Sequence, residues 1–144
     1  MRLAVIDASV AAAWVMRDEG HREATALLES YQSEELRFLA PSLWQYEVAS
    51  ALRKAVASGR ASPDEGFTSL ELLLGVQIEF TPLDQLAPRC WEIALTRGLS
   101  IYDASYVALA EARACEFYTR DIRLAKATRD LVPVQLIRGR AEGS

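Results

Sequence analysis

The chain has 144 residues, with 16 basic and 20 acidic side chains, one His, two Cys and 51% apolar residues. That length suits one domain able to bury roughly 70% of its unfolded surface, and recurrent Leu, Val and Ile with a net charge of only −4 exclude a disordered chain. Val10 to Met16, the longest wholly apolar run, falls far short of the ~20 residues of a membrane span, and the run after Arg2 stops at Asp7, too soon for a signal peptide.

Leu3 to Ile6 is a short apolar run that fits a buried strand and stops at Asp7. Ser9 to Met16 is Ala-rich and helical, ended by the charged stretch 17–22. Arg22 to Tyr31 carries Ala24, Leu27, Leu28 and Tyr31 at helical spacing, and Leu36 to Ala40 is a second strand closed by Pro41. From Ser42 to Ser58, Trp44, Val48, Ala51, Leu52 and Ala55 form one helical stripe, which Gly59 ends. Ser62-Pro63-Asp64-Glu65 starts a helix, with Ser as cap and Pro first, that runs to Gly75. Its Phe67, Leu70, Leu72, Leu73 and Leu74 are expected in the core, with a groove for a partner or a dimer contact as the other reading.

Val76 to Phe80 alternates as a strand does, and Leu86 to Leu95 is a helix stopped by Gly98. Tyr102 to Ala114 is apolar on nearly every face, which predicts a buried helix. Cys115 to Thr119 is a strand, Ile122 to Thr128 a short helix, and Pro133 to Ile137 a last strand. Strands and helices alternate, and no two strands are joined by a two-residue turn. The pattern predicts a three-layer α/β domain with a central, mostly parallel sheet over residues 1–137, followed by a frayed polar tail, 138–144.

Composition narrows the chemistry. A single His excludes a multi-His zinc site, and two Cys exclude a Cys-rich one. Cys90 and Cys115 make neither a CxxC pair nor a disulfide framework, which points to a reducing cytoplasm. A Ser-His-Asp triad would need His21, which sits in a polar stretch and reads as a solvated loop imidazole. The seven Gly are isolated, so no Gly-rich phosphate cradle exists. Carboxylates remain. Ligands of open parallel sheets sit beyond the carboxyl ends of the strands. Asp7 lies at that end of the first strand, Asp121 just past Cys115 to Thr119, Asp103 at the start of the buried helix, and Glu47 one turn into the helix after the second strand.

Each Asp has an ordinary reading as a helix-start acid, contributing about 0.5–2 kcal/mol as a cap or through the helix dipole, and Ser100 with Asp103 resembles a capping box. Glu47 falls about 60° from the centre of its helix's apolar stripe, on the border of the buried face. If the four converge, repulsion governs what they can be. Two carboxylates ~4 Å apart repel by about 4 kcal/mol at an effective dielectric of ~20. Such a group must bind cations or hold protons. Oxygen donors without His or Cys select Mg²⁺ or Mn²⁺, and metal-assisted phosphodiester hydrolysis is the chemistry this favours.

At these positions the chain resembles a known family. Val5-Ile6-Asp7-Ala8-Ser9-Val10 is similar to the opening DxSV motif of PIN-domain ribonucleases, especially the VapC-like toxins of bacterial toxin–antitoxin pairs. Glu47 in Tyr46-Glu47-Val48-Ala49-Ser50-Ala51-Leu52 resembles the family's helical Glu, Tyr102-Asp103-Ala104-Ser105-Tyr106-Val107-Ala108-Leu109-Ala110 its YDAxYxALA stretch, and Thr119-Arg120-Asp121 its TxD. One departure is Ser50, where many relatives carry Asn.

The resemblance implies a PIN fold and Mg²⁺- or Mn²⁺-dependent RNA cleavage. It implies Asp7, Glu47, Asp103 and Asp121 as the acidic metal-site residues, with Ser9 and Thr119 as hydroxyls that orient Asp7, a bound water or Asp121. It also implies homodimers and neutralisation by a VapB-like antitoxin. A non-catalytic PIN scaffold that binds RNA or a protein is the competing expectation. A phosphoacceptor signalling domain is disfavoured, because Lys54 and Lys126 both fall in helices rather than at strand ends. Arg120, Arg123, Lys126 and Arg129 beside Asp121 could track an RNA backbone or simply form a solvated face.

Overall fold

The computed structural model of the chain describes residues 1–16 and 22–138. Strands β1 (Arg2–Ile6), β2 (Leu36–Pro41), β3 (Ile78–Thr81), β4 (Glu116–Thr119) and β5 (Val134–Leu136) form one sheet in the order β3-β2-β1-β4-β5. Every neighbouring pair is parallel. Among the described residues, α1 (Ala8–Val15) and α2 (Arg22–Gln32) connect β1 to β2, and α3 (Trp44–Ala57) and α4 (Pro63–Leu74) connect β2 to β3. The pair α5 (Ala87–Arg97) and α6 (Ile101–Arg113) leads from β3 to β4, and α7 (Ile122–Thr128) from β4 to β5.

The register explains the layering. Phe38 is the ladder partner of Ala4, while Val5 is that of both Leu39 and Phe117. Ladder partners share a face and successive residues alternate, so Phe38 and Phe117 point to opposite sides of the sheet. Trp14 of α1 and Tyr31 of α2 pack on Phe38, with ring centroids 5.3 and 5.0 Å away. Tyr106 of α6 stacks on Phe117 at 5.9 Å. Helices therefore cover both faces, which is the three-layer α/β arrangement that the alternating pattern predicts. Coverage on both sides is also why Ala4, Val5, Ile6, Phe38, Leu39 and Ala40 form near-continuous apolar runs, all fully buried.

Local signals account for the element ends. Ser62 Oγ accepts from the Glu65 amide and Glu65 Oε1 accepts from the Ser62 amide, a complete capping box ahead of α4. Gly98, at φ 64°, closes α5 in the left-handed region that favours glycine. No helix among the described residues is long and apolar enough to cross a membrane.

Three expectations change. The third strand starts at Ile78, not Val76, because the Gln77 amide is bonded to the Tyr31 hydroxyl at 2.9 Å instead of a strand neighbour. The helix expected from Leu86 starts at Ala87, after a 3₁₀ turn at Leu83–Gln85, and runs on to Arg97. The apolar side chains of α4 are mostly outside the core: Phe67 and Leu72 are 61% and 65% exposed, Leu74 is exposed, Leu70 is half-buried and only Leu73 is buried. The helix packs chiefly on α3, and Gly66 and Leu73 are its buried residues. The readings of His21 and of the tail beyond Arg138 fall outside the described residues.

The α3–α4 contact is tight. A Cβ on Gly66 would stand 2.7 Å from Val56 Cγ2. Gly66→Ala gains about 1 kcal/mol of helix propensity but overpacks a stiff β-branched neighbour at about 1–3 kcal/mol. We expect a net loss of about 1 kcal/mol in urea unfolding, recovered when Val56→Ala is added. Unchanged stability in the single variant would mean that the two helices part without strain.

Candidate active site

The strand order turns round at β1. The chain leaves β1 for β2 and β3 on one side and returns to β4 on the other, so the carboxyl ends of β1 and β4 flank the switch point at which open parallel sheets bind ligands. Ile6 is the partner of Tyr118, and the Asp7 amide donates to the Tyr118 carbonyl at 3.3 Å. This extension of the ladder sets Asp7 beside Thr119.

Asp7 is buried, at 8% exposure, and both its carboxylate oxygens accept hydrogen bonds. Oδ1 accepts from the Ser9 amide at 3.0 Å, the Val10 amide at 3.3 Å and the Ser9 hydroxyl at 2.5 Å. Oδ2 accepts from the Thr119 hydroxyl. Both hydroxyls are themselves held. Ser9 Oγ accepts from the Arg120 amide and Thr119 Oγ1 from the Asp121 amide, each at 3.1 Å. An amide can only donate, so each hydroxyl keeps its own proton for Asp7. Burial pushes the Asp7 carboxyl above its usual range, while the bonds from Ser9, Thr119 and Val10 oppose that rise.

The capping roles are present. Asp7 caps α1, and Asp121 Oδ1 caps α7 by accepting from the amides of Arg123 and Leu124 at 3.0 and 3.1 Å. Ser100 caps α6 by accepting from the Asp103 amide at 3.0 Å, without the return bond that would complete a capping box. Asp103 and Glu47 are half-buried, and Asp121 is exposed. Glu47 lies at the edge of the buried face of α3, as its position on the helical wheel predicts, and its Oε1 accepts from the Tyr106 hydroxyl at 2.5 Å. Ser50 is exposed; the bond to Glu47 comes from α6 instead.

Electrostatics tie the acids together. Burial raises the Glu47 carboxyl, the charges of Asp103 and Asp7 raise it further, and the Tyr106 bond opposes them. Burial and the Asp121 charge raise Asp103, with Ser100 opposing. Burial and Glu47 push the Tyr106 phenol far above its usual range, so it stays a neutral donor. Among the described residues, Arg89 pairs with Glu92 and Glu111, Arg97 with Asp130, and Arg37 and Arg113 with Glu79. Among the described residues no three acidic, His or Cys side chains are gathered closely enough to close round one ion. The acids form an open rim of coupled pairs. That suits Mg²⁺, which commonly takes one or two carboxylates and keeps several waters.

The PIN domain family matches residues 4–130 of the chain. The chain belongs to the PIN-domain family. This PIN chain is 35% identical to the VapC ribonuclease Mb0985 of Mycobacterium bovis over 92% of its own length and 97% of that protein's. It is 33% identical to ribonuclease VapC3 of Pyrobaculum aerophilum, covering 85% of itself and 92% of that relative. In structure, PAE2754 from Pyrobaculum aerophilum matches at TM-score 0.66 and 26% identity, over 92% of this chain and 83% of that one. VapBC2 from Rickettsia felis, solved bound to a promoter DNA fragment, shares the PIN fold at TM-score 0.61 and 12% identity, over 94% and 98% of the two chains.

Sequence reasoning picked out Tyr106 only as part of a motif and a buried helix, not as the partner of Glu47. A signal was available: it stands three residues after Asp103 on an otherwise apolar surface, and buried Tyr hydroxyls usually find a partner.

Asp7, Glu47 and Asp103 hold protons more tightly in the folded state than in the unfolded one. Their contribution to stability therefore falls as pH rises from about 4 through their folded values, and stays low above them. We expect Asp103→Asn, which keeps the shape and removes a charge, to flatten this loss between pH 5 and pH 8 in metal-free protein, as read by chemical denaturation. A steeper loss in the variant would contradict the repulsion between these acids.

Proposed function

We propose that this PIN protein is a metal-dependent endoribonuclease toxin. It would hydrolyse RNA phosphodiester bonds in the cytoplasm and be inhibited by a VapB-like antitoxin, with residues 1–137 forming the nuclease domain. The observation that carries this reading is a buried, four-bonded carboxylate, Asp7, electrostatically coupled to Glu47 at the switch point of a parallel sheet, with Glu47 in turn coupled to Asp103 and Asp103 to Asp121. Its likeness to the ribonucleases VapC and VapC3 supports the substrate class.

Asp7 and Asp103 would hold Mg²⁺ or Mn²⁺, with Glu47 and Asp121 completing the donor set. Such an ion supplies Lewis acidity toward a phosphate oxygen and an acidified water. Ser9 and Thr119 fix both oxygens of Asp7, so that its charge stays put while substrate comes and goes. Glu47, at the rim, has Oε2 free of the Tyr106 bond to accept a proton from the attacking water. The exposed Arg123, Lys126 and Arg129 beside Asp121 suit an RNA backbone, since Arg and Lys pair with phosphate.

Exposed Phe67, Leu72 and Leu74 on α4 and Trp91 and Leu95 on α5 favour protein partners, a second copy of the chain and the antitoxin. The structures of VapBC2 from Rickettsia felis and of FitAcB from Neisseria gonorrhoeae share this fold.

Asn caps a helix about as well as Asp, so Asn variants separate capping from ion binding. On a panel of RNAs, cleavage should require Mg²⁺ or Mn²⁺ and stop with EDTA. Asp7→Asn and Asp103→Asn should each lower the rate at least about 100-fold while the protein stays folded. Full activity in either variant would remove that residue from the mechanism. RNA binding without cleavage in either metal would favour the non-catalytic scaffold.

A further inference from the structure

We infer that Tyr106 is a positioning residue for the candidate active site: its buried phenol holds Glu47 at one oxygen, so that the other faces the acids opposite. This rests on the proposed metal-dependent reading and adds to it a residue that touches neither metal nor substrate.

The geometry carries the argument. Tyr106 lies three residues after Asp103 on α6, so one helix delivers Asp103 directly and reaches Glu47 through a phenol. The segment Ala104 to Ala110 is buried throughout, and the Tyr106 ring is 1% exposed and stacked on Phe117 of β4. The donor therefore has little freedom, and an O–H···O⁻ bond of 2.5 Å is at the strong, charge-assisted end of the range. Glu47, by contrast, is half-buried on a long flexible side chain and could turn toward water to escape the charges of Asp7 and Asp103. The Tyr106 bond opposes that escape.

The type of donor matters as much as its place. A Lys or Arg would hold Glu47 at least as firmly but would cancel the charge that a cation needs. A phenol holds the carboxylate and leaves its charge intact. Among the described residues only Oε1 is engaged, which leaves Oε2 available. Phe117 precedes Thr119 by two residues on β4, so the strand that supports the Tyr106 ring also delivers the hydroxyl to Asp7. The two halves of the site are thereby braced against one strand.

The test is Tyr106→Phe, which keeps the ring and its stacking and removes one oxygen. The readouts are Mn²⁺ affinity by electron paramagnetic resonance, steady-state RNA cleavage and thermal melting. Removing such a supporting bond typically costs 10–100-fold in metal affinity or activity. We expect a loss in that range in Mn²⁺ affinity and in kcat, with KM for RNA unchanged. In a Glu47→Gln background the same change should cost little more, since Tyr106 acts through Glu47. Unchanged Mn²⁺ affinity in a folded Tyr106→Phe protein, or losses that add in full to those of Glu47→Gln, would overturn the assignment.

If the variant does not fold, the unsubstituted chain labelled with 3-fluorotyrosine provides the second measurement. Of its five tyrosine resonances, the one most shielded from a soluble relaxation agent should shift on Mg²⁺ titration. A resonance that stays put through Mg²⁺ saturation would overturn the assignment equally. Absence of Mn²⁺ binding by the unsubstituted protein is a separate result, which sinks the metal reading itself and the role of Tyr106 with it.

Discussion

The structure depends on holding one carboxylate in place where water barely reaches. Asp7 sits at the end of the central strand, and an unpaired ion there would cost several kcal/mol. Among the described residues no basic side chain bonds to it. Four donors do so instead: two amides from the first turn of α1 and two hydroxyls whose own acceptor sites are filled by amides after β4. Partial charges fixed by the backbone thus do the work of a counter-ion. They favour the anion against the burial that disfavours it, and they add no positive charge of their own.

The surrounding acids follow the same logic at lower burial. Glu47 and Asp103 are half in water, where repulsion is eased by solvent, and each is held by one neutral hydroxyl group, Tyr106 or Ser100. Such a rim tolerates several acids because it is open to solvent.

Much of this is legible in the sequence, for physical reasons. Short apolar runs that end in Asp7 or Thr119, helices punctuated by Gly and Pro, and the border position of Glu47 all follow from local periodicity. Strand order does not. It depends on pairing between β1 and β4, which lie far apart in the chain, so the switch point emerges only in three dimensions. The start of β3 was misplaced because the bond from the Gln77 amide to the Tyr31 hydroxyl is tertiary. The side chains of α4 were misread as core because apolar content reports that a face will be covered, and not by what. Tyr106 is legible only as part of a motif and of a buried helix, because a helical pattern shows the ring and hides what its hydroxyl meets.

The bond from Thr119 to Asp7 spans 112 positions of the chain. Parallel sheets with such distant pairings close late, after the entropy of the intervening loop has been lost. A ribosome making this protein therefore carries, for most of synthesis, a nascent chain in which Asp7 lacks β4 beside it and the hydroxyl that β4 brings. The four donors come together only when the last third of the polypeptide has emerged. For a protein read as cutting RNA, translation itself provides a delay: the half-made chain, tethered to an RNA machine, is unarmed.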